Sequence, residues 1–563
     1  MSITQFTIDK IIVWIFVSIL VTWPICSQCL PIGDFYYLWT LAMVSLFGIL
    51  RSDATTYTKI DVVLIIAVLY NIFNFHCPID IRIIFEGIAI IAIWCYTRYS
   101  SNQKLILYGF IISAFTQSVL AILQCFKLIS SNHEFFTITG SFNNPGPLAA
   151  YIVLVLPLLI LFKQQTKSSV SKVVALSVLT IFSIVLILTK SRAAVFSLLC
   201  SIVLYLSNTN VKSHVINKLK LFKNFILTLG ILSILLLLYQ IRPDSANARI
   251  RIWIVCLQLI KDAPLFGVGT NGFASSYMPA QTEFLNTSSA IFRTTADDVI
   301  HPFNEVLLLL CEQGIVGLLI WGVYFFFVYQ YLWRIFKKNK SPLFLSAVIY
   351  LIFAQFSYPS AITDIKIVFI CILACGLGRV KDGRSYNISP AVLKSIISFM
   401  VVFLVLFFSL QVKAEHSLNS YYKMTSNAID ISSKQPVVYY IKHQPDVLDL
   451  YGQSLLLLED YEMAMQILNR QSEYMNTCYI QMLLGETHEI MGDTVQAISH
   501  YKRAQQMRPG LMTPIYNQFC IYQQIDQPTA IEYAKRLITF TPKIKNETTF
   551  YMRKEAEAYL NNN

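Results

Sequence analysis

From Ile11 to Gln411 apolar residues gather into runs of about 17–20, the length at which a helix crosses a hydrocarbon core, and short polar turns separate them. By that criterion the pattern predicts about 13 transmembrane helices. The first run, after "MSITQFTIDK", has no small-residue cleavage site behind it and leads almost at once into the second, so it reads as a retained helix. The last run covers about Leu393 to Gln411 by length. Beyond it the pattern becomes that of soluble amphipathic helices. The expected fold class is therefore all-α, a polytopic membrane protein followed by a soluble helical domain. The expected boundaries are 1–414 for the membrane domain, with a long polar segment at 241–302, 415–435 for a linker, and 436–563 for the helical domain.

Inside that last domain, "CYIQMLLGETHEIMGDTVQAISHYKRAQQMRPG" resembles a tetratricopeptide repeat, with Leu484, Gly485, Gly492, Ala497, Tyr501, Ala504 and Pro509 at that family's spacings. Weaker copies lie upstream, around Tyr451, Gly452 and Ala464, and downstream, ending in Pro542. Small residues at such positions let paired helices approach closely, and each pair needs a neighbour to cover its apolar face.

Composition agrees with the pattern: 55% of the 563 residues are hydrophobic and 13% charged, which a soluble globular chain could not keep out of water. Basic residues fix an orientation, because Lys and Arg resist translocation. With the N-terminus cytoplasmic, one set of loops carries 20 Lys and Arg, and the opposite short loops carry only Arg82, Lys127, Lys190, Arg192 and Lys366. The segments 242–302 and 415–563 then face away from the cytoplasm. From 415 to 563 there are 13 Lys and Arg against 16 Asp and Glu, so the net charge of +12 belongs to the membrane part and a nucleic-acid partner is not supported. Most of the 12 cysteines sit in apolar segments as small hydrophobes, and Cys26 and Cys29 form a lone CxxC with no second pair to complete a metal site.

The basic residues that break the orientation rule carry the chemistry. Arg192, in "LTKSRAAVFSLL", occupies a tight hairpin between two spans, where a cation invites an anionic partner or snorkels to headgroups, as does Lys190. Arg249 and Arg251 open a stretch in which Ile250, Ile252, Trp253, Leu257 and Ile260 predict an amphipathic helix on the membrane, ended by Pro264 and the glycines at 267, 269 and 272. Two residues apart on a helix, these arginines diverge by about 200° and cannot both face one phosphate unless the helix starts between them. The "GVGTNG" after them lacks the strand that a nucleotide loop requires. His301 lies at the end of this segment with Pro302 opening the next helix, and a neutral imidazole there can take a proton from a hydroxyl. Asp297 and Asp298 are rival bases, or charges complementing a helix N-terminus. In "GSFNNPGPLAA", Asn143 and Asn144 either make an entry turn or present N–H groups to a phosphate or sugar oxygen.

Taken in order, GSFNNPG, KSRA, R-x-x-x-W with PLFGVGTNGF, and HPFNEVL with EQGIVG resemble the O-antigen ligase and polymerase superfamily, which includes bacterial protein O-oligosaccharyltransferases. The resemblance implies a GT-C-like, inverting, metal-independent and cofactor-free glycosyltransferase in a bacterial inner membrane. It would move a glycan from a polyprenyl diphosphate to an acceptor hydroxyl on the periplasmic side. His301 matches the histidine proposed to activate the acceptor, and Arg192 and Arg249 match arginines proposed to hold the diphosphate, with Lys190 and Arg251 beside them. Asn143, Asn144, Asp298 and Asn304 are further substrate-binding candidates. The family's histidine is usually followed by Asn or Ser, whereas here Pro302 and Phe303 intervene before Asn304. The acceptor could be lipid A core sugar, a growing glycan chain or a protein, and the repeats could contact a protein partner. A lipid-linked glycan transporter or a membrane scaffold is the reading of another class.

Overall fold

The computed structural model describes residues 3–26, 33–51, 56–74, 80–165, 168–208, 243–378, 385–423 and 445–562. The described residues are almost entirely helical, and the chain is a multi-pass membrane protein. Five described helices are long and apolar enough to cross a membrane: Gln103–Cys125, Pro145–Gln164, Ser169–Thr189, Glu305–Asn339 and Pro390–Lys413. Shorter apolar helices complete the bundle. The span expected between Lys223 and Arg242, and Cys29 of the CxxC, lie outside the described residues.

In chain order the membrane helices are α1 (Ile3–Cys26), α2 (Gly33–Arg51), α3 (Lys59–Phe73), α4 (Ile81–Tyr99), α5 (Gln103–Cys125), α6 (Pro145–Val155), α7 (Leu158–Gln165), α8 (Ser169–Thr189) and α9 (Arg192–Asn208). After the undescribed stretch come α10 (Pro243–Asp262), α11 (Phe273–Thr287), α12 (Ala290–Thr295), α13 (Glu305–Asn339), α14 (Leu343–Phe353), α15 (Thr363–Leu377) and α16 (Pro390–Lys423). Every residue from Pro147 to Val155 on α6 is buried, and α15 is buried on nearly all sides, because a helix apolar all round belongs at the centre of a bundle. Helices α5, α8, α9 and α14 pack around α6. Pro157 lacks an N–H, so α6 breaks from α7 there and the chain turns through a bond from Ile160 N–H to the Pro157 carbonyl. Large side chains left bare on the bundle's outside, such as Leu176 at 64% and Phe399 at 71% exposure, make the apolar surface a bilayer would cover.

The end of the bundle opposite the 243–302 segment is closed by a short antiparallel pair, Thr56–Thr58 with Ser385–Asn387, in which Tyr57 faces Tyr386. Beside it Asp61 and Arg98, both 1% exposed, form an ion pair, and Trp94 Nε1 and the Tyr99 hydroxyl also donate to Asp61 at 2.8 and 2.7 Å. Each buried charge is thus matched, which is the condition for keeping such a pair out of water.

At the other end, hereafter the site face, two glycine motifs are spliced together. Helix α13 is broken at Gly314, whose φ of 62° is left-handed. The freed groups are taken up by the loop after α10: Val268 and Gly269 donate to the carbonyls of Cys311 and Glu312 at 2.8 and 2.9 Å, and Ile315 and Val316 donate to those of Pro264 and Leu265 at 2.9 and 3.1 Å. A Cβ on Gly314 would stand 2.3 Å from the Leu265 carbonyl, and one on Gly267 would stand 2.5 Å from that of Cys311. Asn74 ties the splice to α3 by donating to the carbonyls of Phe266 and Glu312, both at 3.0 Å. Gly314→Ala is therefore expected to lower stability by about 1–3 kcal/mol from its φ alone, and further through the backbone collision. A melting temperature in detergent equal to that of the unmodified protein would contradict this.

Helix α16 runs to Lys423, past residue 415 where a linker is expected to begin. The C-terminal domain is a succession of short helices, α17 (Pro445–Leu457), α18 (Tyr461–Tyr474), α19 (Cys478–Ile490), α20 (Thr494–Met507), α21 (Thr513–Ile525), α22 (Gln527–Thr539) and α23 (Glu547–Asn562). Consecutive helices pack on one another, and Ala464, Ala497, Tyr501 and Ala504, positions singled out by spacing, are fully buried at those contacts.

Candidate functional site

Helix α10 forms as its periodicity predicts, but it has two apolar faces. Ile252, Val255, Cys256 and Leu259 pack into a buried cluster with Phe273, Tyr277 and Val299, and Ile250, Ile254 and Leu257 remain exposed. Arg249 and Trp253, four apart, share one face of this helix. Both meet the HPFN segment: Trp253 Nε1 donates to the Pro302 carbonyl at 3.1 Å, and the Arg249 guanidinium lies over the Phe303 ring at 5.4 Å. The R-x-x-x-W spacing thus clips α10 onto the residues following His301.

Phe303 has a φ of 54°, a left-handed conformation costly for an aromatic residue. That geometry sets its ring between Arg249 and Tyr358, with the two rings edge-on at 5.4 Å. Tyr358 in turn stacks on His301 at 4.7 Å and 15°. Phe303 therefore has a structural use: it bridges Arg249 and the Tyr358 ring that stacks on the imidazole.

Arg192 opens α9 directly after Lys190, which takes a left-handed φ of 52° to end α8. The first turn of α9 rests on the same loop as Tyr358, through Phe196 against Phe356 at 5.9 Å. Burial lowers the pKa of Arg249, and the positive charge of Arg192 lowers it further. The charge of Arg192 thus acts on Arg249. An arrangement of that kind favours an anion between or beside them. Burial pushes the His301 imidazole down to about 4, so it is neutral at pH 7 and able to accept a proton.

The remaining candidates are placed differently. Arg251 is 2% exposed and points into the protein, donating to Thr295 Oγ1 at 2.6 Å and to the Thr295 carbonyl at 3.1 Å. The helical phase that puts Arg249 over Phe303 turns Arg251 away, so Arg251 anchors α12 and does not join Arg192. Asn144 caps α6 by accepting from Gly146 N–H at 2.9 Å. Asn304 caps α13, accepting from Val306 and Leu307 at 3.0 Å each and donating to the Gln355 carbonyl at 3.3 Å. Asn143 and Lys190 are exposed.

Asp297 and Asp298 are engaged by the C-terminal domain. Arg508 meets Asp297 at 2.6 Å and Asp298 at 3.3 Å, Lys543 meets Asp297 at 2.8 Å, and the Cys478 N–H donates to Asp298 at 2.9 Å. Burial raises the Asp297 carboxyl, but Lys543 and Arg508 outweigh it and leave the pKa below its usual value. At Asp298 burial wins and the pKa is raised. Neither carboxylate faces His301 as a rival base. Tyr358 has no motif to mark it, and the motifs that contain Phe303 and Arg508 carry no signal of partners about 50 and about 210 residues away.

Residues 145–322 match the family model described as O-antigen ligase. No curated protein matches the chain. The matched span includes Arg192, Arg249 and His301, and it gives the protein a glycosyl-transfer role in O-antigen or related glycan biosynthesis.

Proposed function

Because the chain belongs to the O-antigen ligase superfamily through residues 145–322, we propose that its membrane domain transfers a glycan from a polyprenyl diphosphate to an acceptor hydroxyl. The observation that carries this reading is the chain of contacts from Arg249 through Phe303 and Tyr358 to His301, with the helix that Arg192 opens resting on the same loop through Phe196 and Phe356. A polyprenyl diphosphate is an activated donor, so the enzyme needs to stabilise the leaving diphosphate and deprotonate the incoming hydroxyl. Arg192 and Arg249 hold the diphosphate. His301 takes the acceptor proton as the acceptor oxygen bonds to the anomeric carbon. The carbon–oxygen bond to phosphate breaks, its electron pair leaves on the diphosphate, and the configuration inverts because attack comes from the opposite face. Guanidinium groups supply the charge that a divalent metal supplies elsewhere.

The charge bias of the loops supports a bacterial inner membrane with the site face and the C-terminal domain in the periplasm. The leading acceptor class is the one of the ligases, with polymerase and protein O-oligosaccharyltransferase activities sharing the same chemistry. We read the C-terminal helices as tetratricopeptide-like, and a repeat array outside the membrane favours a protein contact.

The test is purified protein in lipid nanodiscs with a polyprenyl diphosphate-linked glycan, a chelator, and in turn lipid A core, a repeat-unit glycan and a Ser/Thr-containing protein. Covalent transfer to one of them, inverted and indifferent to the chelator, is expected. Movement of the glycolipid across the bilayer with no transfer to any acceptor would establish the transporter reading instead.

A further inference from the structure

The loop that carries His301 does not hold its own shape. From Thr294 to Ile300 it contains no regular structure beyond the end of α12, and its side chains are fastened to other elements. Upstream, Thr295 is held by Arg251. In the middle, Asp297 and Asp298 meet Arg508, Lys543 and the first N–H of α19. Gln281 bridges the two domains, its amide donating both to the Asp297 carbonyl and to the Met507 carbonyl at 3.1 Å. Beneath these polar contacts, Cys478, Ala504 and Met507 share one buried apolar cluster with Val255, Leu259, Phe273 and Val299. Val299 is two residues from His301.

We infer that the C-terminal helical domain is part of the catalytic apparatus, and that Arg508 is a positioning residue which fixes the 294–301 segment and so aims His301. The inference rests on the proposed role of His301 as the base. An imidazole that must meet a hydroxyl at hydrogen-bond distance tolerates little drift, since a misplacement of about 1 Å can cost about 10²-fold in rate. Stacking on Tyr358 fixes the ring's plane, and the backbone that delivers the ring is held at its two ends by Arg251 and Trp253 of the membrane domain and in the middle by the C-terminal domain. Arg508 is suited to this because, among the described residues, it is the side chain whose ion pairs reach both aspartates. The domain is thus more than a tether for a partner: without it the loop loses the groups that satisfy two adjacent, partly buried carboxylates.

Full-length protein in lipid nanodiscs provides the test, with Arg508→Glu, which sets a negative charge against both aspartates, and Arg508→Lys, which keeps the cation. Three readouts are needed: amide hydrogen exchange over 294–303, turnover at saturating donor, and binding of polyprenyl diphosphate. Arg508→Glu is expected to speed exchange over 294–303 and to lower turnover by roughly tenfold or more, with diphosphate binding nearly unchanged and Arg508→Lys close to the unmodified protein. Lys543→Glu, at the rim of the contact, should move the same readouts in the same direction by less, and serves if Arg508→Glu unfolds the helical domain. Unchanged exchange in both acidic variants would overturn the inference, and so would faster exchange with undiminished turnover. Should His301→Ala leave turnover intact while Arg508→Glu still frees the loop, the proposed role of His301 is what fails, and the clamp itself stands.

Discussion

Replacing His301 with alanine is expected to lower glycan transfer by about 10²–10⁴-fold while leaving polyprenyl diphosphate binding nearly unchanged, the range over which a positioned general base contributes. The separation of the two readouts follows from the layout. His301 rests on Tyr358, which meets Phe303 and through it Arg249, so its removal takes away the base and leaves Arg249 on its ring. The pH profile has a definite sign. With its pKa pushed down to about 4 by burial, the imidazole stays neutral as pH falls and is lost as a base only on descending through that value. The acid limb of kcat/KM should therefore lie well below the usual 6.5 of a free imidazole. The limb of kcat should lie higher, because a bound diphosphate favours the protonated ring. Measuring both limbs with saturating and limiting donor checks this, and an acid limb of kcat/KM near 6.5 would contradict a buried base.

Arg249→Ala is expected to weaken polyprenyl diphosphate binding by roughly 10²-fold, since truncating one partner of a desolvated charge contact costs about 2–5 kcal/mol. Lysine should restore only part of it, because a point charge cannot reproduce the planar fork or its stacking on Phe303. Arg192→Ala should behave alike, as the two cations act on one another and on the same anion. Arg251→Ala is the contrasting case. Its guanidinium holds Thr295 from inside the protein, so its loss should reduce thermal stability while donor affinity of the folded fraction changes little. Titration of each variant with polyprenyl diphosphate separates the two kinds of arginine. Equal losses of affinity at positions 249 and 251 would contradict the geometry.

Much of the fold was legible because bilayer physics writes it in long runs: the all-α layout and the amphipathic α10 follow from length and period. The helix expected to open at Pro302 instead begins at Glu305 with Asn304 as its cap, because Phe303 takes a left-handed φ of 54° and holds the chain out of the helix there. Arg192 and Arg249 stand out in the sequence because cations in those loops depart from the charge bias expected of them, and the structure places Arg249 and His301 on one set of stacked rings. Helical phase separates Arg249 from Arg251, but which of them turns inward depends on which face of α10 is buried, and that face carries Val255, Cys256 and Leu259, on the same side as Arg251, against Phe273, Tyr277 and Val299. Asn144 and Asn304 show the ambiguity of turn residues: an Asn before a helix suits a ligand as well as a cap, and here both are caps.

Asp297 and Asp298 could not be read locally at all. Their partners Cys478, Arg508 and Lys543 lie about two hundred residues on, in another domain, and no spacing rule reaches that far. The same holds for Gly267 and Gly314, each of which looks like an ordinary turn glycine until the two backbones are seen to cross. Tyr358 carried no motif, although it touches the imidazole directly.

Locating a bound polyprenyl diphosphate by electron cryo-microscopy of the protein in a lipid nanodisc bears most directly on the chemistry proposed for this fold. The diphosphate is expected between the guanidinium groups of Arg192 and Arg249, with its first sugar turned toward the imidazole of His301. A diphosphate bound elsewhere, or one whose sugar lies beyond the reach of a hydroxyl hydrogen-bonded to that imidazole, would contradict it.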